Sequence, residues 1–442
     1  MINSTRQDFP YVQSYWMMNQ PFEKSPPLTG EHNTDVIIIG GGYAGLSTAL
    51  GLLEAQPDIS ITLIDAEHFG FGASGRTAGH FFNMPPHGLM LQDLSKKKNL
   101  SDVHFARQIV DDQVNKLFAL LEKENLDCEV IEDDRVGAVA RNSFTMAGLR
   151  WAVKLLNTVG VKSYLYEGEA VRDRIAYRAT GYLSMPTIPF HPYKMIQALR
   201  TLLERQGVVF FEGTPATSMQ NTTQGVIVNT PKGVVQAQKA VVTTNAYIRQ
   251  SELKLESKFP KTSVLHTYMI ATDQLSEEQM KAISPSVEDF GDAALTFFYS
   301  RFHDKRFLFG GVDRKSEASV DDDRREKSFR KLHAELIRRF PFLSEVPLYA
   351  AWGGAFQNPG SNVPVIKRAA ENSNIIYNTA YSEGGIAGTL FSGRLMPTLV
   401  LEKNNDPDVL RYLSLLEKSR IPIRGVLRAG MGVMGALIRN KV

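Results

Sequence analysis

The stretch DVIIIGGGYAGLSTALGLLEAQPDISITLID, Asp35–Asp65, decides the fold. A short apolar strand runs into a glycine cluster, an Ala/Leu-rich helix follows, and a second strand ends in a carboxylate. This order is typical of a βαβ unit, in which a tight turn carries the chain from the first strand into the helix. It predicts a parallel, Rossmann-like sheet near the start of the chain.

Three glycines of this stretch, Gly40, Gly42 and Gly45, form a G-x-G-x-x-G motif. The first permits the tight turn, the second lets a pyrophosphate approach the backbone, and the third lets helix and strand pack closely. The helix that follows directs its free N–H groups at the phosphates. Asp65 can accept hydrogen bonds from a ribose diol, and it would repel a 2′-phosphate. A glycine turn alone can also bind nothing, but the complete unit predicts a dinucleotide other than NADP.

The next segment, FGFGASGRTAGHF at Phe69–Phe81, is a loop of small residues directly after the ribose-binding strand. An NAD-binding domain usually continues into a helix at this point. FAD lies extended through its protein, so that its pyrophosphate and ribityl chain need donors from a second place. Ser74 and Arg76 are the candidates here, and the loop therefore favours FAD.

Composition sets few limits on function. The chain has 442 residues and a net charge of +3, which does not indicate a nucleic-acid partner. Its single cysteine, Cys128, cannot form an internal disulfide, and no signal peptide or membrane-spanning run is evident, so we expect a cytoplasmic protein. No ligand-spaced His/Cys cluster indicates a metal, and GASGR around Ser74 does not match a serine-hydrolase motif.

The remaining chain alternates between two kinds of pattern. The stretch GVIVNTPKGVVQAQ from Gly225 predicts a hairpin that turns at Pro231. The sequence between Thr262 and Val312 is typical of several β-strands. An amphipathic helix is predicted after it, with Phe329 and Leu336 on one face. The order predicts an α/β fold (α+β overall), with a Rossmann-like FAD-binding domain and an inserted antiparallel-sheet substrate domain. The predicted parts are an N-terminal surface arm at 1–33, an FAD-binding domain at 34–90, 188–250 and 364–405, a substrate domain at 91–187 and 251–363, and a C-terminal tail at 406–442.

These motifs resemble the D-amino-acid-oxidase-like flavoprotein superfamily, and within it the gamma-glutamylputrescine oxidase branch. GGGY-x-GLS and GFGASGR are specific to the superfamily, and the later motifs together favour the branch. The resemblance covers essentially the whole chain. The later motifs are His191-Pro192, Asn245 to Tyr247, Tyr299 to Arg301, Leu308 to Gly311, Trp352-x-Gly354 and the tail around Met434.

The resemblance implies a set of FAD contacts, including a late glycine segment whose helix N-terminus meets the pyrimidine edge of the flavin. A cysteine or histidine that binds FAD covalently in some relatives is absent, with Arg76 at the histidine position, so we expect non-covalent FAD. The implied FAD-binding residues are Gly40, Gly42, Tyr43, Ala44, Gly45, Asp65, Ala66, Gly72, Ala73, Ser74, Gly75, Arg76, Thr77, Ala78, Ala216, Thr244, Asn245, Gly384, Gly385, Ile386, Ala387 and Gly388.

Two positions depart from the pattern of the branch. Its Y-S-G-H-G segment is Tyr381-Ser382-Glu383-Gly384-Gly385 here, so that glycine replaces the histidine and a carboxylate appears beside it. An arginine after the Trp motif is also missing, because the chain reads Ser361-Asn362-Val363-Pro364. Glu383 points to solvent, contacts a cationic substrate or retunes the flavin. Both departures leave the substrate open.

The family oxidises the C–N bond of an amine or amino acid: a hydride goes to flavin N5, and water hydrolyses the imine. An alkylamine has an aqueous pKa of about 10, so the site must favour its neutral form through apolar and aromatic walls. The candidate walls, each of which is alternatively a plain core aromatic, are Tyr268, Phe298, Tyr299, Trp352 and Tyr381. The candidate catalytic residues are Tyr381, Trp352, Tyr299 and Glu383.

The implied partners are a small-molecule amine and O2, which would give H2O2; the oligomeric state stays open. One alternative is a dehydrogenase that passes electrons to a quinone at a membrane surface. Leu427, Met431, Met434 and Ile438 lie near one face of the basic C-terminal tail, although packing against the protein's own body or a partner subunit is favoured. Another alternative is a non-catalytic flavin-binding module.

Overall fold

The computed structural model contains two sheets that meet along the flavin loop, by which we mean residues Phe69–Phe81. The structure describes residues 12–21, 23–82, 100–132, 134–249, 259, 262–293, 298–313, 322–361, 363–370, 373–382, 384–402 and 406–419.

The first sheet has eight strands in the order β16-β17-β10-β1-β2-β7, with β9 paired to β10 and β8 to β9. Pairing is parallel from β17 through to β7, which confirms the predicted Rossmann-like sheet. The predicted hairpin is β9–β10. The strands are β1 (Gly30–Ile39), β2 (Ile61–Ile64), β7 (Val209–Phe211), β8 (Ser218–Thr222), β9 (Gly225–Asn229), β10 (Gly233–Val242), β16 (Val365–Arg368) and β17 (Ile375–Thr379).

The second sheet has nine strands in the order β15-β11-β14-β13-β12-β4-β6-β3, with β5 paired to β6. Its pairs are antiparallel except for β12 and β4, in agreement with the predicted antiparallel sheet. The strands are β3 (His80–Phe81), β4 (Asp134–Ala140), β5 (Tyr164–Glu167), β6 (Gly181–Pro189), β11 (Thr262–Thr272), β12 (Asp289–Asp292), β13 (Phe298–His303), β14 (Arg306–Asp313) and β15 (Leu348–Pro359).

Helices cover both sheets, and the helix between β1 and β2 begins directly at the glycine turn. The predicted amphipathic helix is α6, whose Phe329, Leu332 and Leu336 are buried, as is Phe340 just after it. The helices are α1 (Tyr43–Ala55), α2 (Ser101–Lys123), α3 (Ser143–Thr158), α4 (Pro192–Arg205), α5 (Glu277–Ile283), α6 (Asp322–Arg339), α7 (Ile386–Phe391) and α8 (Pro407–Lys418). None of the helices described is long and apolar enough to cross a membrane.

The two faces of the antiparallel sheet pack against different parts of the molecule. Side chains alternate between faces along a strand, and on β11 Met269 joins the core cluster that contains α1 and Trp352. Its neighbours Tyr268 and Ile270 join the cluster beneath α6 instead. One face of the sheet therefore meets the flavin loop, and the other is covered by α6.

The segment before β1 enters the core at Tyr15 and Trp16, which form a short 3₁₀ helix with Met17. Trp16 is fully buried and Tyr15 nearly so. The prediction of a surface arm is therefore wrong at these residues. Two large aromatic side chains bury enough apolar area to bring the segment inside the protein.

The strands of the two sheets largely follow the predicted domain ranges. β1 begins at Gly30, before the predicted boundary, and β3 lies within the range given to the FAD-binding domain but pairs in the antiparallel sheet. The division into domains stays a prediction. Within the predicted tail, α8 buries Val409, Tyr412 and Leu416, and residues 420–442, with the amphipathic pattern and Met434, lie outside the described residues.

We expect Gly51→Ala to lower the free energy of unfolding by at least about 2 kcal/mol, because overpacking forces the backbone to move. A Cβ at Gly51 would lie 2.0 Å from the backbone O of Gly393, where α1 crosses the 3₁₀ helix Ser392–Leu395. Urea unfolding followed by circular dichroism measures the effect.

Gly148→Ala is the matched control, because a Cβ at this position in α3 would meet no atom within 4 Å. Removing a helical glycine there should raise stability by about 0.5–1 kcal/mol. Equal responses of the two variants would contradict the close helix contact at Gly51.

Candidate active site

The glycine motif forms a turn that leaves no room for side chains. Gly40 has φ +117, and a Cβ there would lie 2.7 Å from the Oγ1 of Thr243 at the end of β10. A Cβ at Gly45 would lie 2.0 Å from the carbonyl O of Gly40, so α1 packs directly on the turn. At Gly42 the nearest atom is the Ser74 Oγ, 2.9 Å from the position of a Cβ. The turn therefore joins β1, α1 and the flavin loop in one place.

Asp65 lies beside this turn and fixes it. Its Oδ2 accepts the N–H of Gly41 at 2.7 Å, and its Oδ1 accepts the N–H of Glu67 at 2.9 Å. Burial raises the pKa of Asp65 to about 6, although these two N–H groups act in the opposite direction. Each carboxylate oxygen can accept a further hydrogen bond, as a ribose diol requires.

A second carboxylate, Glu212, is a residue that the sequence analysis missed. It is fully buried, and its two oxygens accept the N–H groups of Phe69 at 2.7 Å and Ser25 at 2.6 Å. The next residues bond to the backbone around Asp65, since the N–H of Thr214 donates to the Asp65 carbonyl at 2.8 Å. In the sequence, Glu212 is a carboxylate at the end of the apolar run VVFFE, and this pattern could have identified it as a site residue. Ala216, one of the implied FAD-binding residues, follows Thr214 closely in the chain and is buried.

The flavin loop returns to the N-terminus of α1. Residues Ala73–Gly75 form a 3₁₀ turn, and the Ser74 Oγ accepts the N–H of Tyr43 at 3.1 Å. The structure thus brings Ser74 to the helix end where the sequence predicts a pyrophosphate. Gly72 precedes this turn, and Ala66 lies exposed after Asp65.

Arg76 bridges the loop and the antiparallel sheet. Its Nε donates to the Phe71 carbonyl at 2.7 Å, and its Nη1 donates to the Gly353 carbonyl at 2.6 Å. A Cβ at Gly354 would lie 2.9 Å from the Arg76 Cδ, so a side chain at this position of β15 would displace the arginine that crosses it. A phosphate or ribityl contact of Arg76 stays a prediction.

Trp352 is fully buried, so its ring does not form an open wall of a substrate pocket. Its Nε1 donates to the Arg76 carbonyl at 3.0 Å, and its ring stacks on Tyr15 with centroids 5.7 Å apart. The Trp352 side chain therefore supports the flavin loop through its hydrogen bond to the backbone of Arg76.

The aromatic candidates on β11 and β13 lie on opposite faces of the sheet. Tyr299 packs on the flavin-loop face, and its hydroxyl is 2.6 Å from the Thr267 Oγ1. Tyr268 and Phe298 pack in the α6 cluster. These two residues therefore fit the alternative of plain core aromatics, because the alternation along a strand places them on the other side from Tyr299.

The late glycine segment forms a tight turn between β17 and α7. Ala380, Ser382 and Gly384 all have positive φ, at +61, +60 and +70. The Tyr381 hydroxyl donates to the Oδ1 of Asn378. A Cβ at Gly385 would lie 2.6 Å from the Tyr381 Cβ, so the tyrosine packs closely on the start of α7.

The glycines of this segment leave the start of α7 open on one side. Gly384 is exposed, Gly385 and Gly388 are half-buried, and Ile386 and Ala387 form the first turn between them. A Cβ at Gly388 would lie 3.1 Å from the ring of Tyr381. Glu383 lies outside the described residues.

Gln357 on β15 is a second residue that the sequence analysis missed, and it ties three segments together. Its side chain is fully buried, its N–H donates to the Asn245 Oδ1 at 3.2 Å, and its carbonyl accepts the N–H of Ser382 at 3.1 Å. Beside Asn245, the buried Oγ1 of Thr244 has no hydrogen-bond partner among the described residues. A buried hydroxyl at this strand end fits a polar ligand.

A polar cavity of about 350 Å³ lies away from these motifs, on the α6 side of the antiparallel sheet. Its Arg339 and Asp292 form a buried ion pair with an N–O distance of 2.6 Å, so their charges are already compensated. No residue of the flavin motifs lines it. The lining residues are Val139, Arg141, Asn142, Thr145, Asp292, Phe298 and Arg339.

The chain is similar to known proteins both in sequence and in fold. In sequence, the chain is 29% identical to gamma-glutamylputrescine oxidoreductase of Escherichia coli (strain K12), over 91% of both chains. It is 26% identical to the probable oxidoreductase OrdL of Rhizobium meliloti (strain 1021), over 88% of both.

In fold, the chain is similar to glycine oxidase from Geobacillus kaustophilus, with a TM-score of 0.69, 16% identity and coverage of 85% of this chain and 96% of that one. L-proline dehydrogenase from P. horikoshii has the same TM-score at 15% identity, covering 86% and 97%. The model of the DAO family, described as FAD dependent oxidoreductase, matches residues 35–398. The chain therefore belongs to the DAO family of FAD-dependent oxidoreductases.

Proposed function

We propose that this protein oxidises the C–N bond of an amine or amino acid and passes the electrons to O2. The observation that carries the proposal is the convergence on β15. Arg76 crosses β15 at Gly354, and Thr267 of β11 pairs with that glycine. Three residues further along β15, the Gln357 carbonyl accepts a hydrogen bond from Ser382 in the late glycine segment. The flavin loop, α7 and the Thr267–Tyr299 pair therefore border the same part of β15.

The names of the similar proteins support C–N chemistry. They include gamma-glutamylputrescine oxidoreductase, glycine oxidase and L-proline dehydrogenase, which are named for an amine or an amino acid. FAD, the cofactor of the family, supplies a two-electron acceptor when bound.

The residues of this chain would hold FAD along a single line. Gly42 and Ser74 at the start of α1 would take the pyrophosphate, and Asp65 would take the adenosine ribose. Gly385 at the start of α7 would meet the far end, where helix N–H groups stabilise negative charge. The unpartnered Thr244 Oγ1 offers a further hydrogen bond.

The polar groups around β15 suit a neutral amine. The hydroxyls of Thr267 and Tyr299 bond to each other, and burial raises the pKa of the Tyr381 phenol above its ordinary range, which keeps it protonated at physiological pH. Both arginines at the flavin loop, Arg76 and Arg301, donate to backbone carbonyls. Burial and the positive charges of both guanidinium groups disfavour the ammonium form and leave the nitrogen lone pair available.

The test combines anaerobic and aerobic measurements on purified holoprotein. Under anaerobic conditions, at least one member of a panel of primary and secondary amines and amino acids should bleach the flavin absorbance. In aerated buffer without an added acceptor, the same compound should give H2O2 in proportion to the substrate consumed.

Two results would contradict the proposal. Flavin that stays oxidised with every compound would favour the non-catalytic module. Anaerobic bleaching with turnover only after addition of a quinone would favour a dehydrogenase.

We expect Gly42→Val to yield colourless protein, because branched methyl groups at this position would occupy the path of the pyrophosphate. Even a Cβ there would come within 2.9 Å of the Ser74 Oγ. Flavin content of the purified variant, measured by absorbance after denaturation, checks this. Gly148→Ala is the control, since no atom lies within 4 Å of a Cβ at that position in α3; a fully flavinated Gly42→Val protein would refute the placement.

The affinity for FAD should fall about tenfold between pH 7 and pH 5, with Asp65 as the cause. The carboxyl has a pKa of about 6 without ligand, and ribose hydroxyls donate only to its ionised form at full strength. Binding therefore favours loss of the proton, and acid opposes binding. Titration of apoprotein with FAD, followed by fluorescence, gives the dissociation constant at each pH.

Asp65→Asn should bind FAD more weakly and with little dependence on pH in this range. Asp35→Asn, which changes a carboxylate bonded to Ser60, should keep the profile of the unmodified protein. An unchanged pH profile in Asp65→Asn would assign the titration to another group.

A further inference from the structure

The backbone carbonyls of five consecutive residues in the flavin loop accept hydrogen bonds from buried side chains. The donors come from three separate elements: the segment before β1, β13 and β15. The bonds are Ser14 Oγ to Gly75 O, Trp352 Nε1 to Arg76 O at 3.0 Å, Trp16 Nε1 to Thr77 O at 2.7 Å, and Arg301 Nη1 to Ala78 O at 2.7 Å and Gly79 O at 3.0 Å.

The two indole donors are shielded from water. Trp16 and Trp352 are both fully buried, and Tyr15 lies between them, at 5.0 Å from Trp16 and 5.7 Å from Trp352 between ring centroids. The hydroxyl of Tyr15 is 2.8 Å from the Nδ1 of His303 on β13. The rings of Tyr15, Trp16 and Trp352 are therefore fixed by packing against each other and by the bond from Tyr15 to His303.

Each of these bonds also orients a peptide N–H group. In a trans peptide the carbonyl and the N–H of the same unit point in opposite directions, and the described chain has no cis peptides. The Arg76 carbonyl shares its peptide with the N–H of Thr77, and the Thr77 carbonyl shares its peptide with the N–H of Ala78. Within the part of the chain that the structure describes, neither N–H donates to a protein acceptor.

The position of this N–H pair along the loop indicates the part of FAD that it meets. The chain passes first Asp65, the proposed ribose contact, and then Ser74 at the start of α1, the proposed place of the pyrophosphate. Thr77 and Ala78 follow in the direction of β15. The pair therefore lies beyond the pyrophosphate, on the flavin half of the cofactor.

We propose that Trp16 and Trp352 are positioning residues whose indole N–H groups hold the Thr77 and Ala78 N–H groups as a donor pair for the flavin half of FAD. A hydrogen bond at the carbonyl polarises the peptide and makes its N–H a stronger donor. The inference rests on the proposed function, because it uses the proposed line of FAD contacts. It gives the segment before β1 a part in cofactor binding.

Trp16 is the residue to test, because it lies outside both sheets. Trp16→Phe keeps an aromatic ring and removes the N–H, and site-specific replacement of Trp16 by benzothienylalanine keeps the bicyclic shape as well. Trp151→Phe is the matched control, since Trp151 lies on α3 and is 53% exposed. The experiment titrates full-length apoprotein with FAD and, separately, with ADP.

Both changes at Trp16 should raise the dissociation constant for FAD about tenfold, the loss expected for one good hydrogen bond. The dissociation constant for ADP should stay unchanged, because ADP lacks the flavin half. Trp151→Phe should alter neither value. The absorbance bands of bound flavin should shift in the Trp16 variants alone.

Three outcomes separate the explanations. Unchanged FAD affinity in both Trp16 variants would overturn the inference and leave the proposed function intact. Equal losses for FAD and ADP in both variants would also overturn it, since they indicate general loosening of the fold. Failure of the unmodified protein to bind FAD would overturn the proposed function, and the inference with it.

Discussion

Backbone carbonyls buried away from water must find hydrogen-bond donors, and the flavin loop meets this requirement between two sheets. Its carbonyls from Gly75 to Gly79 accept from a serine, two tryptophans and an arginine. Among the described residues the N–H groups of Thr77 and Ala78 donate to no protein acceptor, which leaves them for the cofactor contact that we propose. The rest of the site depends on this loop, since it connects the glycine turn at α1 to β15.

Two carboxylates fix the other end of the site in different ways. Glu212 uses both oxygens on the backbone N–H groups of Phe69 and Ser25, so its role is to hold the chain. Asp65 uses one bond per oxygen and keeps acceptor capacity for a ribose. Burial raises the pKa of Asp65, which means that the fold itself already carries part of the cost of desolvating this charge. A diol that donates to the carboxylate offsets that cost.

Local patterns in the sequence predicted the βαβ unit, the β9–β10 hairpin and α6, because each depends on residues close together in the chain. They could not show which face of a strand meets the flavin loop. Tyr268 and Tyr299 both belong to strand-rich stretches, yet pairing between distant strands places them on opposite faces. The burial of Trp16 likewise depends on a carbonyl sixty-one positions away, at Thr77, which no local pattern indicates.

The central claim is that the glycine turn, the flavin loop, β15 and α7 hold one extended FAD. A crystal structure of the FAD complex tests it most directly. We expect the adenosine ribose on Asp65, the pyrophosphate between Gly42 and Ser74, and the isoalloxazine between α7 and the Trp352–Gln357 part of β15. A flavin ring bound elsewhere, such as in the polar cavity beneath α6, would contradict the account.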